Sequence, residues 1–548
     1  MLVVIDAGPH DDGQPEMAAG CGAFPTTRQA EAEPEVRVVV DRVDLDRPSE
    51  LPARVSDPAG LKVRAPQRLA DRALLGFEVA GLLERDRGRM GMLTVEEVQP
   101  SCVGVVCVLA HPTPPFHVRQ SGDPTPRAAS PTRIVPDFIP FSGLRYAGVS
   151  ELSRLAAPPY DVIDEAEHDR LEALDLHNAV RLILPREEDG HDRYRVAARR
   201  LETWCAGGVL ERDPRPTFTI LRMRFALPGG PERATLGVVG SLRLPDTAGD
   251  GVLPHERTMA NAKTDRLALL RATRANLDPI WGLSLADGLS GLLAPAGPPD
   301  AVCTDESGAT HEAWIVDRPD RIDAITEAIG AFDLVIADGH HRLETAMTYR
   351  AETDLAGAER IMTFVVELAE DQLCIRSIHR LVRLPPATTL RAVLAEGFDL
   401  FGAGPNVAGA ARALLDQARR AGGLGLVDAE GCALARPRPE TLAAVARAWE
   451  RPVDATDAAL VDAAVVPALG DAAWEYRHDE EAVAAAVRNG EADAALLLRP
   501  VDVATTRAVA EAGLRMPPKT TFFAPKPRTG FVFRTLDDDD DAAVSAEI

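Results

Sequence analysis

A short apolar run, residues 334–337, leads straight into Asp338-Gly339-His340-His341-Arg342, and beyond it Leu343, Ala346 and Met347 recur at helical spacing. An apolar run followed at once by a 3.6-residue period reads as a strand, a tight turn and a helix start. A chain built on that unit must lay helix beside sheet, and its fold class is read as α/β, mixed α+β. The unit also suits an anion. A helix start exposes unpaired N–H groups and the positive end of the macrodipole, and this turn adds two imidazoles and a guanidinium within three residues. Gly339 lets the backbone approach a ligand closely. In the plainer reading Asp338 caps the helix, Arg342 lies on the surface and one histidine packs. The turn alone does not choose between the two.

At 548 residues the chain exceeds one ordinary core, and roughly two to four domains are expected. Its 46% hydrophobic and 26% charged residues are those of a soluble globular protein. A formal net charge of -24 argues against nonspecific nucleic-acid or anionic-membrane binding, which Lys and Arg carry by neutralising phosphates. Seven cysteines are scattered without a CxxC pair, as expected of reduced thiols in the cytoplasm and not of a cysteine zinc site. The apolar stretch 102–110 is half a membrane span, and the first residues carry no basic n-region, so neither a membrane segment nor a signal is read. Among 60 basic residues only Lys62, Lys263, Lys519 and Lys526 are lysines, and three of the four fall in motif-like segments. That clustering suggests a compact ammonium is wanted there.

Residues 1–134, broken by prolines and charges, read as a disordered or weakly folded extension with short elements near 36–40 and 73–83. A second reading starts translation at Val135, the residue of a GTG start codon, where element-like sequence begins. Residues 135–384 are read as a core domain. In it, the doublet Pro158-Pro159 fixes an extended approach to Tyr160 and Asp161, which line a site or turn a corner. Residues 179–184 read as a strand, 194–205 as a packing helix, and 218–225 with 233–242 as a hairpin. A helix is expected from an N-cap at Thr264 to about Leu277. His379 is read as structural. Pro385-Pro386 marks a boundary to a C-terminal α/β domain, 385–534, followed by an acidic disordered tail, 535–548.

Three loops hold the chemistry. Beside 338–342 stand His255-Glu256-Arg257-Thr258 with Lys263 downstream, and residues 516–530, where Lys519, Lys526 and Arg528 lie among prolines. No GxxxxGK[ST], strand-borne GxGxxG or GxSxG occurs. In phosphoryl transfer His255, Arg257, Lys263, Gly339, His340, His341, Arg342 and Lys519 would hold nucleotide phosphates, and Glu256 or Asp338 would act as base or hold Mg²⁺. In metal-dependent hydrolysis His255, His340, His341 and a carboxylate would bind a transition metal. Against the second, neighbouring histidines at a helix start cannot easily aim both rings at one ion, and the surplus of cations favours an anion.

The order FIPFSGLRY, PPYDVI, HERT, KTDR, ADGHHRLETA and MPPKTTFFAPKPRTG, from 135 to about 533, resembles the bacterial and archaeal family known as domain of unknown function 1015. Its DGHHR segment is similar to the Gly-Cys-His-Arg and Gly-x-Arg-Arg boxes of the ParB/sulfiredoxin superfamily. That resemblance implies a ParB/sulfiredoxin-like core in which Gly339, His340, His341 and Arg342 contact nucleotide phosphates. His340 stands where the sulfiredoxin cysteine would, which removes sulfinic-acid reduction, and no basic helix-turn-helix supports DNA partitioning. The resemblance implies a nucleotide-dependent phosphotransferase using ATP or ADP, or CTP, with Mg²⁺, on a small hydroxyl-bearing substrate such as free serine. A metal-dependent hydrolase or phosphatase and a non-catalytic nucleotide-sensing protein stand as alternatives.

Overall fold

The apolar runs of the first half pair into one nine-stranded mixed sheet. In chain order its strands are β1 Phe138–Ile139, β2 Phe218–Ala226, β3 Glu232–Arg243, β4 Val252–Pro254, β5 Ile280–Ser284, β6 Ala301–Thr304, β7 Thr310–Val316, β8 Leu334–Asp338 and β9 Arg360–Glu367. They lie in the order β6-β7-β2-β3-β9-β5-β8-β4, with β1 added to β3. β5 runs parallel to β9, and β8 parallel to β4; the other pairs are antiparallel. The expected hairpin is β2 with β3.

The structure, a computed structural model, describes residues 135–226, 230–246, 251–257 and 263–537. Before these it describes the strands Phe77–Glu78, Leu93–Glu97 and Gly104–Val106, paired in that order. The chain divides into two compact units, 1–128 and 129–548. The rest of the proposed extension and residues 538–548 of the acidic tail lie outside the described residues.

Side chains alternate across a strand, so β8 feeds two cores. Leu334 and Ile336 pack with Ile325 and Ile329 of helix α2 (Pro319–Gly330) and with Leu343 and Ala346 of helix α3 (His340–Arg350). Val335 and Ala337 join Trp281, Phe364, Leu201 and Trp204 on the other face. With both faces covered, β5 and β9 are buried along their whole length, and each large apolar side chain contributes ~2 kcal/mol.

A second sheet of six antiparallel strands follows, in the order Phe398–Gly404, Gly431–Pro437, Leu424–Asp428, Ala494–Leu497, His379–Arg383 and Ala473–Arg477. Helices Ala410–Ala421 and Glu480–Arg488 pack on one face of it, and Leu390–Gly397 and Pro439–Ala448 on the other. One strand, His379–Arg383, comes before Pro385-Pro386. The chain then returns to the first sheet's lobe: Thr521–Ala524 pairs with Cys374–Ser377, and Arg534–Thr535 with Ala275–Asn276.

Two local expectations are corrected. Residues 179–184 hold a short helix, Val180–Ile183, in place of a strand. Asn178 sets it, its Oδ1 accepting from Val180 N at 2.9 Å while Nδ2 donates to Arg154 O at 2.7 Å; a short apolar run by itself does not separate buried helix from strand. Helix α1 is Lys263–Thr273, ending where Arg274 turns to φ 46° so that residues 275–276 can pair with the C-terminal segment. No helix among the described residues is long and apolar enough to cross a membrane.

Candidate functional site

Because β8 and β4 are parallel neighbours, their C-terminal ends open on the same edge of the sheet, which sets Asp338-Arg342 beside His255-Arg257. Gly339 makes the turn into α3 at φ 88°. A Cβ there would stand 2.8 Å from Ile280 Cγ2, so the position requires glycine for space as well as for backbone. The first N–H groups of α3 have no carbonyl one turn earlier to bond. Arg342 donates from Nη2 to Asp338 Oδ2 at 2.8 Å and from Nη1 to Pro279 O. Two buried nitrogens of this turn, His340 Nε2 and Arg342 Nε, have no hydrogen-bond partner among the described residues.

His255 is buried below the turn, its ring 5.1 Å from that of His340. Its Nδ1 meets Ile336 O and its Nε2 lies 2.8 Å from Thr521 Oγ1. Glu256 holds the C-terminal loop. Its carboxylate accepts from Lys519 N at 3.1 Å, Thr520 N at 3.2 Å, Thr521 N at 2.8 Å and Thr521 Oγ1 at 2.7 Å. The carbonyls of the same turn are gripped by buried Arg380, which donates to Lys519 O at 2.8 Å and Pro518 O at 3.3 Å. Held from both sides, Lys519 takes φ 59° and presents its side chain at the surface. Lys526 sits between two carboxylates, donating to Asp161 Oδ2 at 2.6 Å and Asp338 Oδ1 at 2.9 Å.

These loops converge on one cavity of about 470 Å³. Of the residues singled out in the sequence, Glu256, Arg257, Asp338, Gly339, His340, His341, Arg342 and Lys519 line it. His255 supports it from beneath, and Arg257 packs over Trp449 at 4.2 Å. Lys263 opens α1, but its side chain lies outside the described residues, as does Thr258. The cavity also takes in Tyr160, Asp161, Tyr476, His478, Phe522 and Lys526. The double proline pointed to Tyr160 and Asp161, and the clustered lysines to Lys526. Nothing local marks Tyr476 or His478, which come from the second sheet. His379 is structural as expected: buried, with Nδ1 accepting from Leu498 N at 3.1 Å.

The three-histidine metal reading meets an obstacle, since both nitrogens of His255 are engaged. Among the described residues no group of three or more His, Cys, Asp or Glu side chains is arranged to hold a metal ion. Asp338 and Asp161 are the two carboxylates that line the cavity on either side of Lys526 Nζ, with the second oxygen of Asp338 taken by Arg342.

The electrostatics favour charged carboxylates beside a neutral His340. Burial opposes ionisation of Asp338, but Lys526 and Arg342 outweigh it and hold its pKa at about 2. Burial likewise works against Glu256, yet the His255 hydrogen bond and charge bring it to about 2. For His340, burial and then the His255 charge lower the pKa to about 4. Burial also lowers His379, to about 3, and lowers His311 and His478; against this trend it raises Asp278 to about 6.

The sign follows by linkage. Below about pH 6.5 the unfolded chain protonates histidines that the fold keeps neutral, so stability falls with pH, and the lone opposing carboxylate offsets only one of these protons. Below about pH 4 the depressed carboxylates add to the loss, which continues through pH 2. The unfolding midpoint should therefore drop from pH 7 to pH 4.5, and His340→Gln should flatten that slope. A midpoint constant over the interval would contradict the assignment.

The chain belongs to the family described as protein of unknown function DUF1015, whose match spans residues 138–459. No curated protein matches it. Among solved structures, a conserved hypothetical protein from Pyrococcus furiosus is similar at 13% identity and TM-score 0.31, over 53% of this chain and 94% of that one. A free serine kinase in complex with AMP is similar at 13% identity and TM-score 0.30, over 53% of this chain and 94% of that one. SbnI with a C-terminal truncation, from Staphylococcus aureus, is similar at 11% identity and TM-score 0.30, over 56% of this chain and 94% of that one.

Proposed function

We propose that the cavity binds a nucleotide with Mg²⁺ and transfers a phosphoryl group to a small hydroxyl-bearing substrate, within the ParB/sulfiredoxin-like site that the DGHHR motif implies. One observation carries the reading. Three loops far apart in sequence place a helix N-terminus, Arg342, Lys519 and Lys526 around a single cavity, the donor set that phosphate oxygens require.

In this reading the N–H groups at the start of α3, with Arg342, Lys519 and Lys526, hold the phosphates, and Asp338 and Asp161 hold Mg²⁺. The ion, when bound, would neutralise charge on the transferring phosphoryl group. Glu256 spends both oxygens on the 519–521 turn, so its part is to fix Lys519 in place. Proton removal falls to His340, whose Nε2 has no hydrogen-bond partner among the described residues. The acceptor hydroxyl gives its proton to that nitrogen, its oxygen bonds to the terminal phosphorus, and the bond from phosphorus to the bridging oxygen breaks.

Thermal-shift titration with ATP, ADP and CTP, each with Mg²⁺, is the first test. A nucleotide at a hundred times its Kd should stabilise the fold by about 2.7 kcal/mol. If none of the three moves the midpoint, both the transferase reading and the nucleotide-sensing alternative fall. Incubation with a panel of hydroxyl compounds, serine included, then separates the two: the transferase yields a phosphorylated product and the sensor yields none.

A further inference from the structure

The cavity has two chemically different ends. Its phosphate end is built by the first sheet and the C-terminal loop. The other end comes from the turn after strand Ala473–Arg477, where His478 lies flat on Phe522 with ring centroids 4.1 Å apart and planes within 4°. Lys526 Nζ lies 5.5 Å from the centroid of the same phenyl ring, so the phosphate-side ammonium and the imidazole share one aromatic neighbour. Both aromatic residues line the cavity, as does Tyr476, over which Arg380 packs at 4.7 Å.

His478 is held firmly. Asp479, the next residue, caps helix Glu480–Arg488 by accepting from Ala482 N at 2.7 Å, and the strand before it is paired to His379–Arg383. Its ring nitrogens make no hydrogen bond to protein among the described residues. A flat ring, backed by a second ring that it shares with a phosphate-binding cation, matches a nucleotide's own layout of base and phosphates. Base-on-aromatic stacking is a recurrent way to bind that base.

We infer that His478, backed by Phe522, is the platform on which the nucleobase stacks, and that it gives the site its preference for nucleotides over inorganic polyphosphates. This rests on the phosphate site proposed above and adds to it a specificity determinant supplied by the second sheet. The second lobe thereby acts as the base-reading half of the site, and the first as the phosphate-reading half.

The test is calorimetric titration of the full chain with Mg–ADP and, separately, with Mg–pyrophosphate, which has phosphates and no base. His478→Ala is expected to weaken ADP binding by on the order of tenfold and to leave pyrophosphate binding unchanged, while His478→Phe keeps ADP affinity near wild type. Unchanged ADP affinity in His478→Ala overturns the platform and leaves the phosphate site standing, provided pyrophosphate binds. Equal weakening of both ligands, or failure of His478→Phe to restore ADP binding, also overturns it, since His478 would then only shape the cavity. If the wild-type chain binds neither ligand, the phosphate site fails and the platform with it.

Discussion

Lys526→Met is expected to cost the fold about 3 kcal/mol and to abolish measurable phosphate binding. The lysine side chain is 8% exposed and lies between Asp161 and Asp338. Methionine fills a similar volume but, among the described residues, leaves Asp338 the ion pair with Arg342 and Asp161 no direct ion pair. The estimate sits at the lower end for a broken buried pair because Asp161 is 36% exposed and partly recovers its hydration. Adding Asp161→Asn removes one of the two stranded charges. The double variant should regain part of the denaturation midpoint while Mg–ADP and Mg–pyrophosphate stay unbound. Wild-type affinity in Lys526→Met would take this lysine out of the site, whatever happened to stability.

Gly339→Ala is the second large effect. Two costs add there: alanine at φ 88° pays roughly 1–2 kcal/mol for the left-handed backbone, and its Cβ would press on Ile280 at 2.8 Å. Ile280 is fully buried at the centre of the sheet and cannot retreat, so overpacking brings the total to about 3 kcal/mol. The same Cβ would lie 3.2 Å from Arg342 Nε, so a surviving variant should also bind phosphate more weakly. Gly288 gives the control. It too precedes a helix in the left-handed region, at φ 85°, but with nothing within 4 Å of its would-be Cβ. Gly288→Ala should therefore cost only the backbone contribution. Equal urea midpoints for the two variants would show that the contact with Ile280 is not restrictive.

These effects bear on how much of the site could be read from residues alone. The strand, turn and helix at 334–350 were legible because a continuous apolar run, a glycine and a 3.6-residue period each have one local interpretation. The hairpin of β2 and β3 was legible for a similar reason, since two strand-like runs flank a proline-glycine turn. Residues 179–184 misled because their apolarity reports burial and not conformation, and the deciding contact is Asn178 to a carbonyl 24 residues earlier. Glu256 drew notice as an acid beside a histidine, a pattern that suggests proton transfer. Besides His255 and the Thr521 hydroxyl, it accepts from three backbone N–H groups more than 260 residues away in sequence, and backbone donors leave no trace in side-chain identity.

The amino-acid sequence by itself determined the mixed α/β character, the anion-suited turn at Asp338-Arg342 and the cationic loops that accompany it, because each depends on neighbours within a few residues. The tertiary structure decided which of those loops share a cavity, that Lys526 bridges Asp161 and Asp338, and that Tyr476 and His478 of the second sheet face the same space. The physical reason is that strand pairing and chain return are long-range. β4 and β8 are joined in parallel across some eighty residues, and the C-terminal segment comes back to pair with strands laid down well over a hundred residues earlier. Registers of that kind are set by the burial of whole faces, which no short window of sequence contains.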